Sequence, residues 1–394
     1  MSDARPTSPA LAALLAAATA LTGTPAQAAQ DDPAAGNRAS YRYTLYDEDA
    51  LDAKPVEGST ERYRVYAQQF RASGKPTERW GMAVTATQEV MSGSSPWFTI
   101  PDSNGKPRQV MSGATIHDKR REIAATFTRD PETAAHDSVS VSYSHENDYS
   151  AGAIGYERSQ PLSSATTLGY GASVSHDTIE PVGTALYGRI EHATKNSVSA
   201  FGSLAWVMDR DSVLQAGVQL TRHDGFLSDP YKRVFTPNGF ENDARPGQRL
   251  ESAWLARYRH DYSALDAALH VDYRFAWDSW GLRSHTLEAS WYQNLPHQWR
   301  LVPNLRYYSQ SSARFYTPFV TQGDPRYASS DFRLAAFGAV SGGVNVRKKF
   351  GQWELSVGVD RYHSSEKYGL DGGDDNPGFV SFTRMYAGFD YLFN

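Results

Sequence analysis

The stretch LDAALHVDYRFAWD, Leu265 to Asp278, decides the fold, because it changes character at almost every residue. Leu265, Ala267, Leu269, Val271, Tyr273, Phe275 and Trp277 share one parity, and Asp266, His270, Asp272, Arg274 and Asp278 share the other. Neighbouring side chains on a strand point to opposite faces, so this segment is a strand with one greasy face and one wet face.

The pattern recurs along the chain. Trp353, Leu355, Val357 and Val359 oppose Glu354, Ser356, Gly358 and Asp360; Leu214, Ala216, Val218 and Leu220 oppose Gln215, Gly217, Gln219 and Thr221. Val139, Val141 and Tyr143 oppose a run of serines. Such segments place strands near 39 to 48, 59 to 72, 76 to 91, 119 to 130, 135 to 147, 151 to 159, 165 to 177 and 195 to 208. The second half adds 211 to 224, 249 to 261, 264 to 277, 281 to 294, 298 to 310, 331 to 348, 352 to 364 and 378 to 393. That is roughly sixteen strands, an even number that brings both ends to one side of a barrel. Most links alternate in length as expected of such a barrel, although two outer ones, near Asn147 to Ser150 and Asp278 to Trp280, are short. Ser73 to Lys75, Asp209-Arg210, Asp261 to Ser263, Leu295 to His297 and Gly351 are short; Ser92 to Asp118, Thr178 to Thr194, Gly225 to Gln248, Ser311 to Ser330 and Ser365 to Pro377 are long. The expectation is an all-β, antiparallel, up-and-down transmembrane β-barrel with long outer loops and short periplasmic turns.

Both termini agree with it. In the last strand Met385, Ala387, Phe389, Tyr391 and Phe393 alternate with Arg384, Gly388 and Asp390; the penultimate Phe393 suits an outer-membrane barrel, whereas the final Asn394 departs from the commoner terminal aromatic. At the other end Arg5 precedes an apolar run, Leu11 to Leu21, too short to span a bilayer, and Ala26-Gln27-Ala28 offers small residues for cleavage. Residues 1 to 28 therefore read as a signal peptide, and 29 to 394 as one barrel domain in a Gram-negative outer membrane.

Mean hydropathy is -0.54, so no later segment supplies the about 20 apolar residues of a membrane helix. A barrel needs none, since only alternate residues meet lipid. The 23 Tyr, 17 Phe and 9 Trp suit interfacial girdles. With no cysteine there are no disulfides, thiolate metal sites, Cys nucleophile or lipoprotein anchor, and a net charge of -5 does not point to nucleic acid.

Five segments stand apart from the alternation: Glu89-Val-Met-Ser-Gly-Ser-Ser-Pro-Trp97, Ser112-Gly-Ala-Thr-Ile-His-Asp-Lys-Arg-Arg-Glu122, Glu146-Asn-Asp-Tyr149, Ser228-Asp-Pro-Tyr-Lys232 and Gln310-Ser-Ser-Ala-Arg-Phe-Tyr316. In these segments the chain resembles a proteobacterial outer-membrane family catalogued as the domain of unknown function thirty-five seventy. The resemblance implies an outer-membrane barrel, often encoded beside a small periplasmic lipoprotein, a thioredoxin-like protein and a flavin-transferase homologue. It brings no established reaction and no catalytic residues.

One constellation stands out. His117-Asp118, His145-Glu146, His176-Asp177 and His223-Asp224 all fall at outer strand ends, and strand parity sends Asp118, Glu146, Asp177 and His223 inward. Together these four can hold a divalent cation. The plainer reading is a set of rim ion pairs with Lys119, Arg120 and Arg121. No HExxH spacing and no G-x-S-x-G elbow supports catalysis. Inward positions such as Arg257, Asp272, Arg274, Arg306, Arg333, Arg347 and Asp360 carry both signs, which fits an aqueous pore or a lumen braced by ion pairs. The loop Gly225 to Gln248, with Phe226, Pro230, Tyr231, Phe235, Pro237 and Phe240, is too aromatic for an ordinary solvated loop and is expected to fold over the pore or pack on neighbouring loops. The functional expectation is a non-catalytic channel or the membrane component of a periplasmic system, redox-linked or metal-linked; the alternatives are a hydrolase with Asp and His on its outer lip, or an adhesive barrel that binds through its loops.

Overall fold

Lipid outside and water inside demand opposite residues at alternate positions, and the chain meets that demand with sixteen strands closed into one antiparallel barrel. The computed structural model describes residues 37–112, 116–129 and 135–393. The segment read as a signal peptide and the terminal Asn394 lie outside them. In order the strands are β1 Asn37–Glu48, β2 Arg64–Thr77, β3 Trp80–Gly93, β4 Pro96–Pro101, β5 Pro107–Met111, β6 Ile116–Arg129, β7 His136–His145, β8 Tyr149–Pro161, β9 Thr166–Ile179 and β10 Ala193–Val207. They continue as β11 Ser212–Gly225, β12 Arg233–Thr236, β13 Gly239–Asn242, β14 Gln248–Tyr262, β15 Ala267–Asp278, β16 Arg283–Leu295, β17 Trp299–Gln310, β18 Phe337–Phe350, β19 Trp353–Ser365 and β20 Ser381–Phe393. A single helical turn, α1 Thr184–Tyr187, sits in the loop after β9. Each barrel strand pairs with the next, and β1 closes on β20 from Asn37↔Phe393 to Glu48↔Phe382. The hairpins β4–β5 and β12–β13 stand outside the barrel sheet.

The outward face is the lipid belt. Phe70, Ile123, Tyr143, Ile154, Val198, Trp254, Leu305 and Val357 are each more than half exposed, on different strands around the barrel. A contiguous apolar band far larger than a soluble protein tolerates is stable only against lipid. At the end with short turns, Trp353 and Tyr391 rings lie 4.6 Å apart and the Lys348 ammonium sits 5.1 Å from the Trp299 ring centre. Aromatic rings backed by cations are the composition of a membrane interface. Among the described residues no helix is long and apolar enough to cross a membrane.

Long links at the opposite end turn inward over the mouth. Two of them leave the barrel at left-handed glycines, Gly93 and Gly225, both with φ +125°; a Cβ there would lie 2.1 Å from Arg62 O and 2.3 Å from Thr194 O. Only glycine fits.

The largest departures from the alternation reading fall at the ends of β2, at the start of β3, which begins at Trp80 rather than 76 so that the expected turn Ser73 to Lys75 lies within β2, and at the start of β18. β2 starts at Arg64 rather than 59, because Arg62 and Tyr63 fold over the mouth, with the Arg62 guanidinium on Glu48 at 2.7 Å and Tyr63 only 2% exposed. It then runs on to Thr77, with its register irregular between Gly74 and Thr77, where Pro76 has no N–H for the ladder. The expected strand start at 331 is instead a 3-10 turn, Phe332–Leu334, whose first amides are capped by Asp331 accepting from Arg333 N at 3.1 Å. Arg333 therefore leaves the lumen wall and joins the loops.

Candidate functional site

The loop end is a built cap rather than a fringe. Hairpin β12–β13 lies against hairpin β4–β5, with the Phe98 and Phe240 rings 4.7 Å apart. It also lies against the loop 311–336, where Val320 N donates to Phe235 O at 2.8 Å and Ala244 and Ala328 exchange bonds of 3.0 Å. Within that long loop Phe332, 8% exposed, enters a cluster with Tyr46, Tyr63, Val65, Met91, Val380 and Phe382, several of them inward residues of barrel strands. The loop is thus seated in the mouth.

A charge network staples it there. The Arg333 guanidinium contacts Asp229 at 2.7 Å and Asp331 at 2.5 Å; Arg245 contacts Asp331 at 2.8 Å and Asp243 at 2.7 Å. Lys232 completes it, donating to Pro96 O and thereby reaching the β4–β5 hairpin. Three cations face three carboxylates, so the group is neutral, as burial requires. Burial alone would raise the Asp331 carboxyl, but Arg333, Arg245 and Lys232 hold it well below the usual range. For Lys232 burial wins over Asp331, and its ammonium is pushed down to about 8.

A second cluster is not neutral. Asp118 near the start of β6, with Glu146 and Asp148 in the turn between β7 and β8, present carboxylate atoms all within 4.8 Å of one another, and they are 2%, 1% and 3% exposed. Asp118 Oδ1 accepts from Lys119 N at 2.7 Å and Asn147 Nδ2 at 3.2 Å, and Asp148 accepts from the Tyr231 hydroxyl of the cap. Neither Glu146 oxygen, nor Asp118 Oδ2, has a hydrogen-bond donor. Arg120 faces them but is already divided between Glu89 at 2.9 Å and Glu122, leaving its Nε 3.7 Å from Glu146. Burial, then Asp118 and Asp148, pushes the Glu146 carboxyl up to about 9.

Of the four residues singled out by parity, Asp118 and Glu146 therefore meet. Asp177 stands one contact away, bonded to the Tyr149 hydroxyl and to Lys195 at 2.6 Å. His223 lies elsewhere on the wall, with Nδ1 2.8 Å from Ser197 Oγ and Nε2 3.8 Å from Glu251. That order of hydroxyl, imidazole and carboxylate resembles a hydrolase triad in composition. The His223–Glu251 gap exceeds a hydrogen bond, and the amides near Ser197 serve the ladders to β9 and β11, leaving no free pair of donors for an oxyanion. His117, His145 and His176 face outward and are exposed. Asp148 was missed because the inward parity of Glu146 was not carried one step further into the turn, where Asp148 is buried like Glu146 and Asn147 between them is exposed.

In the lumen, opposite charges pair across strands. Arg259 meets Asp272 at 2.5 Å, Arg384 meets Asp360, and Arg347 lies 3.7 Å from Glu354.

The family described as Protein of unknown function (DUF3570) matches residues 11–391. The chain belongs to this family. The described residues of the five stretches on which the DUF3570 resemblance rests lie toward the loop end of the barrel. No curated protein matches the chain. Similar solved structures include the siderophore receptor PirA from Pseudomonas aeruginosa, 13% identical over 84% of this chain and 56% of the receptor, with a TM-score of 0.41. A bacterial polysaccharide outer membrane secretin is 9% identical over 90% of this chain and 98% of its own, with a TM-score of 0.46. OccK1 (OpdK) of Pseudomonas aeruginosa is 9% identical over 91% and 98%, with a TM-score of 0.42. The DUF3570 chain spans little more than half the length of the siderophore receptor. At these identities the likeness is one of barrel architecture.

Proposed function

We propose that this chain is an outer-membrane passage closed from outside by its own loops, acting as a membrane component without catalysis of its own. The supporting observation is the seating of Phe332 among inward side chains of the mouth, held by the neutral network of Arg333, Asp331, Asp229, Arg245, Asp243 and Lys232. An open porin needs no such investment at its entrance, and a lip enzyme needs the reverse, an accessible nucleophile. The lipid belt and the aromatic interface support the location, with the long loops facing outward.

Planar bilayer recordings of the refolded protein test this reading. The parent is expected to show little or brief conductance, and replacement of residues 229–243 by a short Gly-Ser linker is expected to give larger, longer openings. A large steady conductance in the parent, unchanged by that replacement, overturns it.

A further inference from the structure

We infer that Asp118, Glu146 and Asp148 form a binding site for one hard divalent cation of the calcium class. Calcium binds oxygens at about 2.3 to 2.6 Å, so ligands on opposite sides of the ion stand about 5 Å apart. The three carboxylates each offer an atom within 4.8 Å of the other two, so all three fall inside the span that one such ion bridges. Their geometry would be costly without an occupant, because both Glu146 oxygens and Asp118 Oδ2 are buried with no donor, and Arg120 has spent its stronger contacts on Glu89 and Glu122. A buried acceptor aimed at other acceptors is satisfied by a cation.

The donor set selects the ion class. All three ligands are carboxylates, and among the described residues no histidine or cysteine joins the group, so soft and borderline metals have no preferred donor here. Magnesium wants a near-ideal octahedron and retains several waters, which suits these buried carboxylates less well than calcium does.

The position gives the ion a structural reach. Asp118 belongs to β6 and Glu146 and Asp148 to the β7–β8 turn. The backbone carbonyl of Asp148 accepts from Glu180 N at 2.8 Å, just past β9, and its side chain accepts from Tyr231 in the cap. An ion here ties three barrel strands to the loop that also carries Asp229 and Lys232. The inference stands whether or not the cap gates a passage.

Calorimetric titration of the refolded full-length protein with calcium chloride, after treatment with a chelator, tests it. Heat-modifiable mobility of each sample first confirms a folded barrel. One calcium per chain is expected in the parent, with affinity at least tenfold weaker in Glu146→Gln and in Asp118→Asn and unchanged in His223→Ala. Two variants are used so that a folding defect in one leaves the other decisive. Absence of saturable calcium binding in the parent overturns the inference and leaves a proton on Glu146 as the occupant. Unchanged affinity in both carboxylate variants, or an equal loss in His223→Ala, overturns it as well.

Discussion

Phe332→Ala should release the loop 311–336 from the mouth while leaving the barrel intact. Phe332 is 8% exposed, packs among six buried residues, and lies under two cations, with Arg62 at 5.7 Å and Lys232 at 5.6 Å from its ring centre. Truncating a buried phenylalanine costs about 3 to 5 kcal/mol, and the lower figure already corresponds to roughly a hundredfold change in a local opening equilibrium. The penalty falls on the loop, because the barrel residues around Phe332 stay in their ladders, Val65 opposite Met91 and Phe382 opposite Tyr362. Hydrogen exchange read by mass spectrometry in detergent is the assay. Amides such as Ala313, bonded to Leu334 O at 2.8 Å, and Ala328, bonded to Ala244 O at 3.0 Å, should exchange about a hundredfold faster or more in the variant. Amides of β17 and β18 should not change. Equal acceleration of loop and strands, or none in either, would refute the idea that Phe332 anchors an independent cap.

Other outcomes follow from the same geometry. Leu305→Arg, on the lipid face midway along β17, should cost about 2 to 4 kcal/mol of folding stability in urea titrations into vesicles, and Asn304→Arg on the lumen face much less; equal costs would reverse the strand's facing. Since the chain has no cysteine, Asn104→Cys in the β4–β5 turn should react with an impermeant thiol reagent on intact cells, and Arg79→Cys only after lysis; the opposite pattern inverts the barrel. Asp331 is held below its unfolded value of about 3.9, so its contribution to the cap is complete above that pH and is lost as pH falls toward the lower folded value. Cap amides, corrected for intrinsic exchange, should lose protection between pH 5 and pH 2.5 in the parent but not in Asp331→Asn; a parent that is flat over that interval argues against the network.

The barrel was legible because two solvents impose a period of two, and Leu265 to Asp278 shows that period with hardly a flaw. Where one solvent is lost, so is the signal. Hairpins β4–β5 and β12–β13 pack against other loops on more than one side, and their sequences carry no alternation to read. Asp331-Phe-Arg-Leu334 alternates by accident, and a side-chain cap turns it into a helical turn instead of a strand. Residues at the rim could be assigned inward or outward, but not to partners around the circumference. Asp118 and Glu146 come together because β6 and β7 are adjacent, whereas His223 is four strands further on, at the end of β11, and finds Glu251 of β14. The aromatic residues of 225–248 did announce that this loop is not solvated, although only the structure supplies Phe98 as the ring that Phe240 meets.

The seam between β1 and β20 joins residues more than three hundred positions apart, from Asn37↔Phe393 to Glu48↔Phe382. Contacts of such separation form late, because the intervening chain must be brought together before they repay its lost freedom. Until then the sheet is an open ribbon with two raw edges, able to pair with any other extended strand. Ser40 and Asp390, bonded at 2.5 Å across that seam, meet only once the first and last barrel strands have paired. Closing the seam therefore removes at one stroke the two strand edges through which this chain could join another.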